Sequence, residues 1–81
     1  MFINKTQDGK NNLCGVKIAQ LRKERKLSQR QLADKLQLYG LNVDKNAVQR
    51  IEAGLRFVTD IEIVALKHVL DVSYEELLSF V

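Results

Sequence analysis

The sequence predicts an all-α protein, a compact bundle of five helices built from 81 residues. Three observations indicate this fold class. The chain contains no proline, and helix-start signals recur along it, each a Ser, Thr or Asp ahead of an apolar pattern. Apolar residues return at intervals of three and four, which is the helical period. Alternation of the strand type never extends beyond a few residues, so we expect essentially no strand.

Helices one and two can be placed from their end signals. Helix one is expected from about Asn12 or Leu13 to Lys26. Helix two is expected from residue 29 to about residue 38, because Ser28 and Gln31 have the spacing of a capping box. In such a box each side chain accepts a hydrogen bond from the other residue's backbone N–H, which satisfies two donors at the helix start.

Helix three is expected over residues 45–53, after a capping Asp44 and before Gly54. Gly54 suits the left-handed position that ends many helices. Val48 and Ile51 give this helix a narrow apolar face. Its other face carries side chains that can hydrogen-bond base edges or phosphates, namely Lys45, Asn46, Gln49 and Arg50.

Two further capping signals predict the last helices. Thr59 with Glu62 opens helix four, and Ser73 with Glu76 opens helix five. Asp71 stands between them where a helix-ending glycine is common, and Asp can enter the left-handed region that such an ending requires.

Residues 27–54 resemble the helix-turn-helix of the phage repressor and Cro family, often called XRE-type. The resemblance extends to residues 18–26 and 59–78, so that it covers about three quarters of the chain. It implies a lambda repressor-like DNA-binding domain in which helices two and three form the motif. The matching residues within the motif are Leu27, Ser28, Gln29, Leu32, Ala33, Leu36, Val43, Val48, Ile51, Glu52 and Gly54.

The turn between helices two and three departs from the family pattern. The interval from Ala33 to Val48 is five residues longer than in the common form, and Gln37 stands where the turn glycine is expected. We therefore expect an extended turn, built either as a longer loop or as an extra turn on helix two, with Gly40 as its bend.

The resemblance assigns roles to residues of the motif and its neighbours. Base contacts are expected from Lys45, Asn46, Gln49 and Arg50, because Arg or Lys suits guanine and Asn suits adenine in the major groove. Arg22 and Glu52 match a family ion pair that ties helix one to the end of helix three. Phosphate contacts are expected from Gln29 and Ser28 at the start of helix two, from Arg56, and from Lys17 or Lys23 on helix one.

The distribution of charge agrees with this assignment. The net charge is only +3. Residues 17–56 hold ten Lys or Arg against four acids, a balance of +6, whereas residues 57–81 have a balance of −4. The basic part coincides with the motif, where DNA phosphates would lie.

Length and composition limit the alternatives. We expect one domain over residues 12–81, preceded by a flexible arm at residues 1–11. No apolar run reaches the roughly 18–20 residues that span a membrane, and the N-terminus lacks the pattern of a signal peptide. A lone cysteine, Cys14, suits a cytoplasmic location. One His and one Cys do not make a zinc site, and no catalytic constellation is recognisable, so neither a cofactor nor enzymatic activity is expected.

The leading hypothesis is a sequence-specific regulator of transcription that binds double-stranded DNA and acts as a repressor. The alternative is the antitoxin of a toxin–antitoxin pair, which would bind a partner protein and its own promoter. A protein-interaction module that has lost DNA binding is a third reading.

A homodimer on a palindromic operator is also expected, because one recognition helix reads too few base pairs to single out a genomic site. Apolar residues after helix three and at the C-terminal end would supply the interface. The candidates are Phe57, Val58, Leu78 and Phe80.

Overall fold

The computed structural model describes residues 4–79 and confirms the predicted all-helical bundle. It contains five helices and, within the described residues, no strand. None of these helices has the length and apolarity needed to cross a membrane. The helices are α1 (Gly15–Glu24), α2 (Gln29–Tyr39), α3 (Lys45–Glu52), α4 (Asp60–Leu70) and α5 (Tyr74–Leu78).

The starts of α2 to α5 follow the side-chain caps that the sequence predicts. Ser28 and Thr59 form complete capping boxes with Gln31 and Glu62. Asp44 accepts a hydrogen bond from the Ala47 N–H at 2.8 Å. Ser73 accepts from the Glu76 N–H, which is one half of the box predicted for α5. Each cap satisfies backbone donors that the helix itself leaves without partners.

The first four helices end in the same way, in a residue with positive φ followed by an apolar residue. In each ending the apolar residue donates its N–H back to a carbonyl five residues earlier, as in a Schellman motif. Gly54 (φ 78°) and Asp71 (φ 55°) were predicted in this role. Lys26 (φ 58°) was not predicted, and it is a residue type with no preference for that region. The apolar residues are Leu27, Leu41, Leu55 and Val72.

One core joins the helices. α2 packs against both α3 and α4, while α1 lies between α3 and α5. The core side chains are almost fully buried and come from every helix, so that α3 is held on its apolar side from two directions. The largest of them are Ile18, Leu32, Leu36, Ile51, Leu66, Leu70 and Leu77.

The extended turn is built by the helix. α2 continues to Tyr39, Gly40 reverses the chain at φ 111°, and a short loop leads to Asp44. Gln37, at the position where the family has a glycine, donates its Nε2–H to the Val43 carbonyl at 2.7 Å. Val43 is buried, so the loop is anchored to the core just before α3 begins.

Helix one is shorter than we predicted at both ends. It starts at Gly15 rather than at Asn12 or Leu13, because the Asn12 side chain accepts from the Gly15 N–H and residues before it leave the helical path. It ends at Glu24 because Lys26 is left-handed. The described part of the predicted arm, residues 4–11, folds into a turn in which Thr6 N–H donates to the Lys10 carbonyl at 2.8 Å. The flexibility of this arm stays a prediction.

Candidate nucleic-acid interface

The polar face of α3 is exposed along its whole length. Val48 and Ile51 are buried and fix which side of the helix points away from the core. On the other side Asn46, Gln49 and Arg50 line a shallow open groove together with Ala53 and Leu55. Lys45 is also exposed, in the first turn. The structure thus places all four side chains predicted to contact bases on the solvent side of one short helix.

The start of α2 lies beside the end of α3. Ser28 is exposed, and its Oγ accepts from the Gln31 N–H at 3.0 Å. The half-buried Gln29 donates its Nε2–H to Glu52 Oε1 at 3.0 Å. This hydrogen bond links the helix start predicted to contact phosphate to the last residue of α3, and leaves the second amide hydrogen of Gln29 for a ligand.

Arg22 and Glu52 form a bidentate ion pair between α1 and α3. Arg22 Nε lies 2.7 Å from Glu52 Oε2, and Nη2 lies 3.0 Å from Oε1. Nη1 donates to the Leu27 carbonyl at 2.8 Å. The hydrogen bonds to Glu52 raise the pKa of the Arg22 guanidinium above its ordinary value. Losing either partner would strand a largely buried charge, at a cost of roughly 3–5 kcal/mol.

Two of the predicted phosphate ligands, Arg56 and Lys17, lie outside the groove on α3, and Arg56 has an intramolecular partner. Arg56 Nη2 lies 2.8 Å from Glu62 Oε2, an ion pair that sequence reasoning missed. Glu62 is 6% exposed, and the buried Nη1 of Arg56 has no hydrogen-bond partner among the described residues. Lys17 is half-buried in a groove on α1 that also contains Asp8 and Lys10. It is therefore not part of the groove formed by Asn46, Gln49 and Arg50.

Sequence reasoning also missed the contacts that residues before α1 make with the end of α3. The backbone N–H of Asn11 donates to the Gly54 carbonyl at 2.8 Å, and its side chain donates to the Leu55 carbonyl at 3.0 Å. The Asn12 side chain donates to the Ile51 and Arg56 carbonyls. The only sequence signal is a pair of asparagines ahead of a helix, which we interpreted as the helix start.

The residues predicted for a dimer interface differ in exposure. Phe57 is 62% exposed and Leu78 is 41% exposed. Val58 is partly buried against the core, so its side chain contributes to the monomer. Phe80 lies outside the described residues. Ile61, which we did not single out, is 71% exposed at the start of α4.

Among residues 4–79 no group of three or more His, Cys, Asp or Glu side chains is arranged to hold a metal ion. Cys14 is buried, and this burial raises the pKa of its thiol to about 11. His68 is exposed and stacks on the Tyr39 ring with 5.4 Å between centroids.

Helices α2 and α3 have the arrangement of a helix-turn-helix, whose second helix is the one that enters the major groove in DNA-binding proteins of this design. Residues 18–77 match the model of the helix-turn-helix family HTH_3, and the chain belongs to this family of XRE-type regulators. It is therefore a DNA-binding regulator of transcription, of a class that binds double-stranded DNA.

A solved structure shows the same fold. It is the crystal structure of the restriction-modification controller protein C.AhdI from Aeromonas hydrophila, which superposes with a TM-score of 0.68. The two sequences are 32% identical, and the match covers 78% of this chain and 88% of that one. A search of the curated proteins found no match.

Proposed function

We propose that the protein is a repressor that binds a two-fold-symmetric operator as a homodimer and inserts α3 into the major groove. The observation that carries this proposal is the exposed face of α3. Its four polar side chains include no acid, and each can donate a hydrogen bond to a base edge. An α-helix of this width fits the major groove of B-form DNA, where every base pair presents a distinct pattern of donors and acceptors.

Phosphate contacts would fix the register of α3 on the duplex. The start of α2 offers backbone N–H groups to an anion, and Ser28 and Gln29 stand at that start. Arg56 would be shared between Glu62 and a phosphate, and Lys17 would reach a phosphate from its separate groove on α1. These contacts recognise the sugar–phosphate backbone and carry no direct sequence information.

Repression is the simplest mode of regulation for such a protein, because binding to a promoter is sufficient to block transcription from it. The solved neighbour is described as a controller protein, which agrees with a role in controlling transcription. The antitoxin reading is a second candidate. It is favoured by large apolar side chains exposed away from α3, such as Leu38 at 89% and Ile61 at 71%, which a partner protein could cover.

The direct test is selection of bound duplexes from a pool of randomised DNA by the purified protein. We expect enrichment of one palindromic sequence, bound with an affinity that falls steeply as salt rises. A reporter driven by a promoter containing that sequence should lose expression when the protein is produced. Recovery of no common sequence would contradict the proposal and favour an interaction module, and a rise in reporter expression would contradict repression.

A further inference from the structure

The carbonyl groups at the end of α3 and just after it meet the side chain of a residue far away in the sequence. The Nδ2 of Asn12 donates to the Ile51 carbonyl at 3.0 Å and to the Arg56 carbonyl at 2.8 Å. The Oδ1 of the same side chain accepts from the Gly15 N–H at 2.8 Å. One carboxamide therefore uses both of its donor hydrogens and its acceptor to join three segments: the start of α1, the last turn of α3 and the loop that follows it.

The backbones of α1 and α3 approach each other closely at this point. A Cβ atom added to Gly15 would lie 2.2 Å from the Ile51 carbonyl oxygen and 2.8 Å from Asn12 Oδ1. Both distances are far below van der Waals contact, so any larger residue at position 15 would push α3 away from α1. The glycine is required here for space, because it lies in ordinary helical conformation.

A second contact between the same helices lies further along α1. Arg22 binds Glu52 there, seven residues after Gly15. Seven residues of α-helix span about 10 Å. A single contact would let α3 pivot about it, whereas two contacts separated by this distance, on adjacent residues of α3, restrict its rotation relative to α1.

We propose that Asn12 is a positioning residue for DNA recognition, which holds the end of α3 at the angle that its base-contacting side chains require. This inference rests on the proposed function, since it concerns how bases are read. Hydrogen bonds to bases depend strongly on distance and angle, and recognition sites tolerate displacements of only about 0.5 Å. Contacts with phosphates from flexible lysine and arginine side chains are more tolerant. A tilted α3 therefore loses sequence discrimination before it loses DNA binding.

The variant that isolates this role is Asn12→Asp. An aspartate keeps the oxygen that accepts from the Gly15 N–H, so this donor at the start of α1 keeps its partner. Its second oxygen replaces the amide and faces the Ile51 and Arg56 carbonyls without a hydrogen to donate. Asn12→Ala removes all three hydrogen bonds and serves as the second variant if the aspartate prevents folding. Asn11→Ala is the matched control, because the half-buried Asn11 side chain donates to the Leu55 carbonyl beyond the end of α3 and otherwise accepts from Lys5.

Affinities for the selected operator and for random DNA should be measured by fluorescence anisotropy, well below the melting temperature of each variant. We expect Asn12→Asp to weaken operator binding about tenfold, as the loss of two partly buried hydrogen bonds allows. Binding to random DNA should change less than about twofold, and Asn11→Ala should change neither affinity by more than about threefold. A purely structural role would lower the melting temperature and leave the ratio of the two affinities unchanged, which would overturn the proposal. Equal weakening on both DNAs would also overturn it.

Hydrogen exchange of the free protein separates this proposal from the proposed function. If Asn12 holds the end of α3, the Gly54 and Leu55 amides should exchange faster in Asn12→Asp than in wild type, while amides of α4 stay unchanged. If wild type selects no DNA sequence, the proposed function fails and the exchange result alone decides whether Asn12 positions α3. Unchanged exchange at Gly54 and Leu55 would show that Asn12 does not position α3.

Discussion

At the residue scale, Asn46 and Arg50 are the side chains on which base reading depends most. They lie one turn apart on α3 and face the same open groove. An arginine can donate two hydrogen bonds to guanine O6 and N7, and an asparagine can form a bidentate pair with adenine. Neither side chain has an intramolecular hydrogen bond among those found in the described residues, so both are available for DNA.

We expect Arg50→Ala and Asn46→Ala each to weaken operator binding by roughly 1–3 kcal/mol and to leave binding to random DNA almost unchanged. Gln29→Ala should weaken binding to both DNAs alike, because it is predicted to contact phosphate. Fluorescence anisotropy with both duplexes measures this. Lys35→Ala is the control for lost positive charge, since Lys35 lies near His68 on another face. If Arg50→Ala lowers both affinities equally, its assignment to base reading is wrong.

Cys14 gives a prediction about pH. Burial raises the pKa of its thiol from the ordinary 9.0 to about 11, so the thiol of the unfolded chain ionises at a lower pH than that of the folded protein. Between pH 9 and 11 the unfolded state therefore binds fewer protons, and the free energy of unfolding falls as pH rises. By pH 10 this contribution should cost about 1 kcal/mol.

The measurement is urea unfolding of wild type and Cys14→Ala at pH 8 and pH 10. Every other side chain is the same in both proteins, so the difference between their two losses reports the thiol. The wild-type protein should lose about 1 kcal/mol more than the variant over this interval. An equal loss in both proteins would show that the thiol is not protected by burial.

At the element scale, helix ends explain most of what could be predicted from the sequence. Ser28, Asp44 and Thr59 act on neighbours three residues away, so their signals are local and their predicted roles are confirmed. The role of Asn12 depends on carbonyls 39 and 44 residues away. No local pattern reveals these two contacts. The start of α1 was predicted too early for a different, local reason, because the Asn12 side chain accepts from the Gly15 N–H ahead of the helix.

The candidate site likewise contains some features that local sequence signals predict and others that they do not. Periodicity separates the buried Val48 and Ile51 from the polar residues of α3, and the structure agrees with that division. The ion pair between Arg56 and Glu62 was missed because Glu62 had already been given a role in a capping box. The structure shows that one carboxylate does both, with Oε1 accepting from the Thr59 N–H and Oε2 from Arg56.

Lys26 gives a prediction about the end of α1. A non-glycine residue in the left-handed region costs about 1–2 kcal/mol relative to glycine. Because glycine also gains freedom in the unfolded chain, Lys26→Gly should raise the free energy of unfolding by a net amount of about 0.5–1 kcal/mol. Urea unfolding measures this change. The control is Lys23→Gly, inside α1, which should destabilise the protein by about 1 kcal/mol. A loss of stability in Lys26→Gly would contradict the left-handed ending.

At the scale of the whole molecule, the predicted interface for a second copy lies after α3 and on α5. Phe57 and Leu78 are exposed apolar side chains in these two places. We expect a weak homodimer in solution that is stabilised on operator DNA, with two chains per duplex. Analytical ultracentrifugation with and without operator tests this. Phe57→Asp should lower the number of chains bound per duplex or the affinity for the operator. Lys35→Ala should change neither. A monomer that binds the complete operator one-to-one would contradict the dimer.

Methylation interference on the selected operator tests most directly whether α3 reads bases from the major groove. Methylating guanine N7 adds a group in the major groove, whereas methylating adenine N3 adds one in the minor groove. We predict that guanine methylation blocks binding at two symmetric clusters about one helical turn, ~34 Å, apart. In Arg50→Ala the interference at one guanine of each cluster should disappear. Interference confined to adenine N3, or guanine methylation without effect on binding, would contradict insertion of α3 into the major groove.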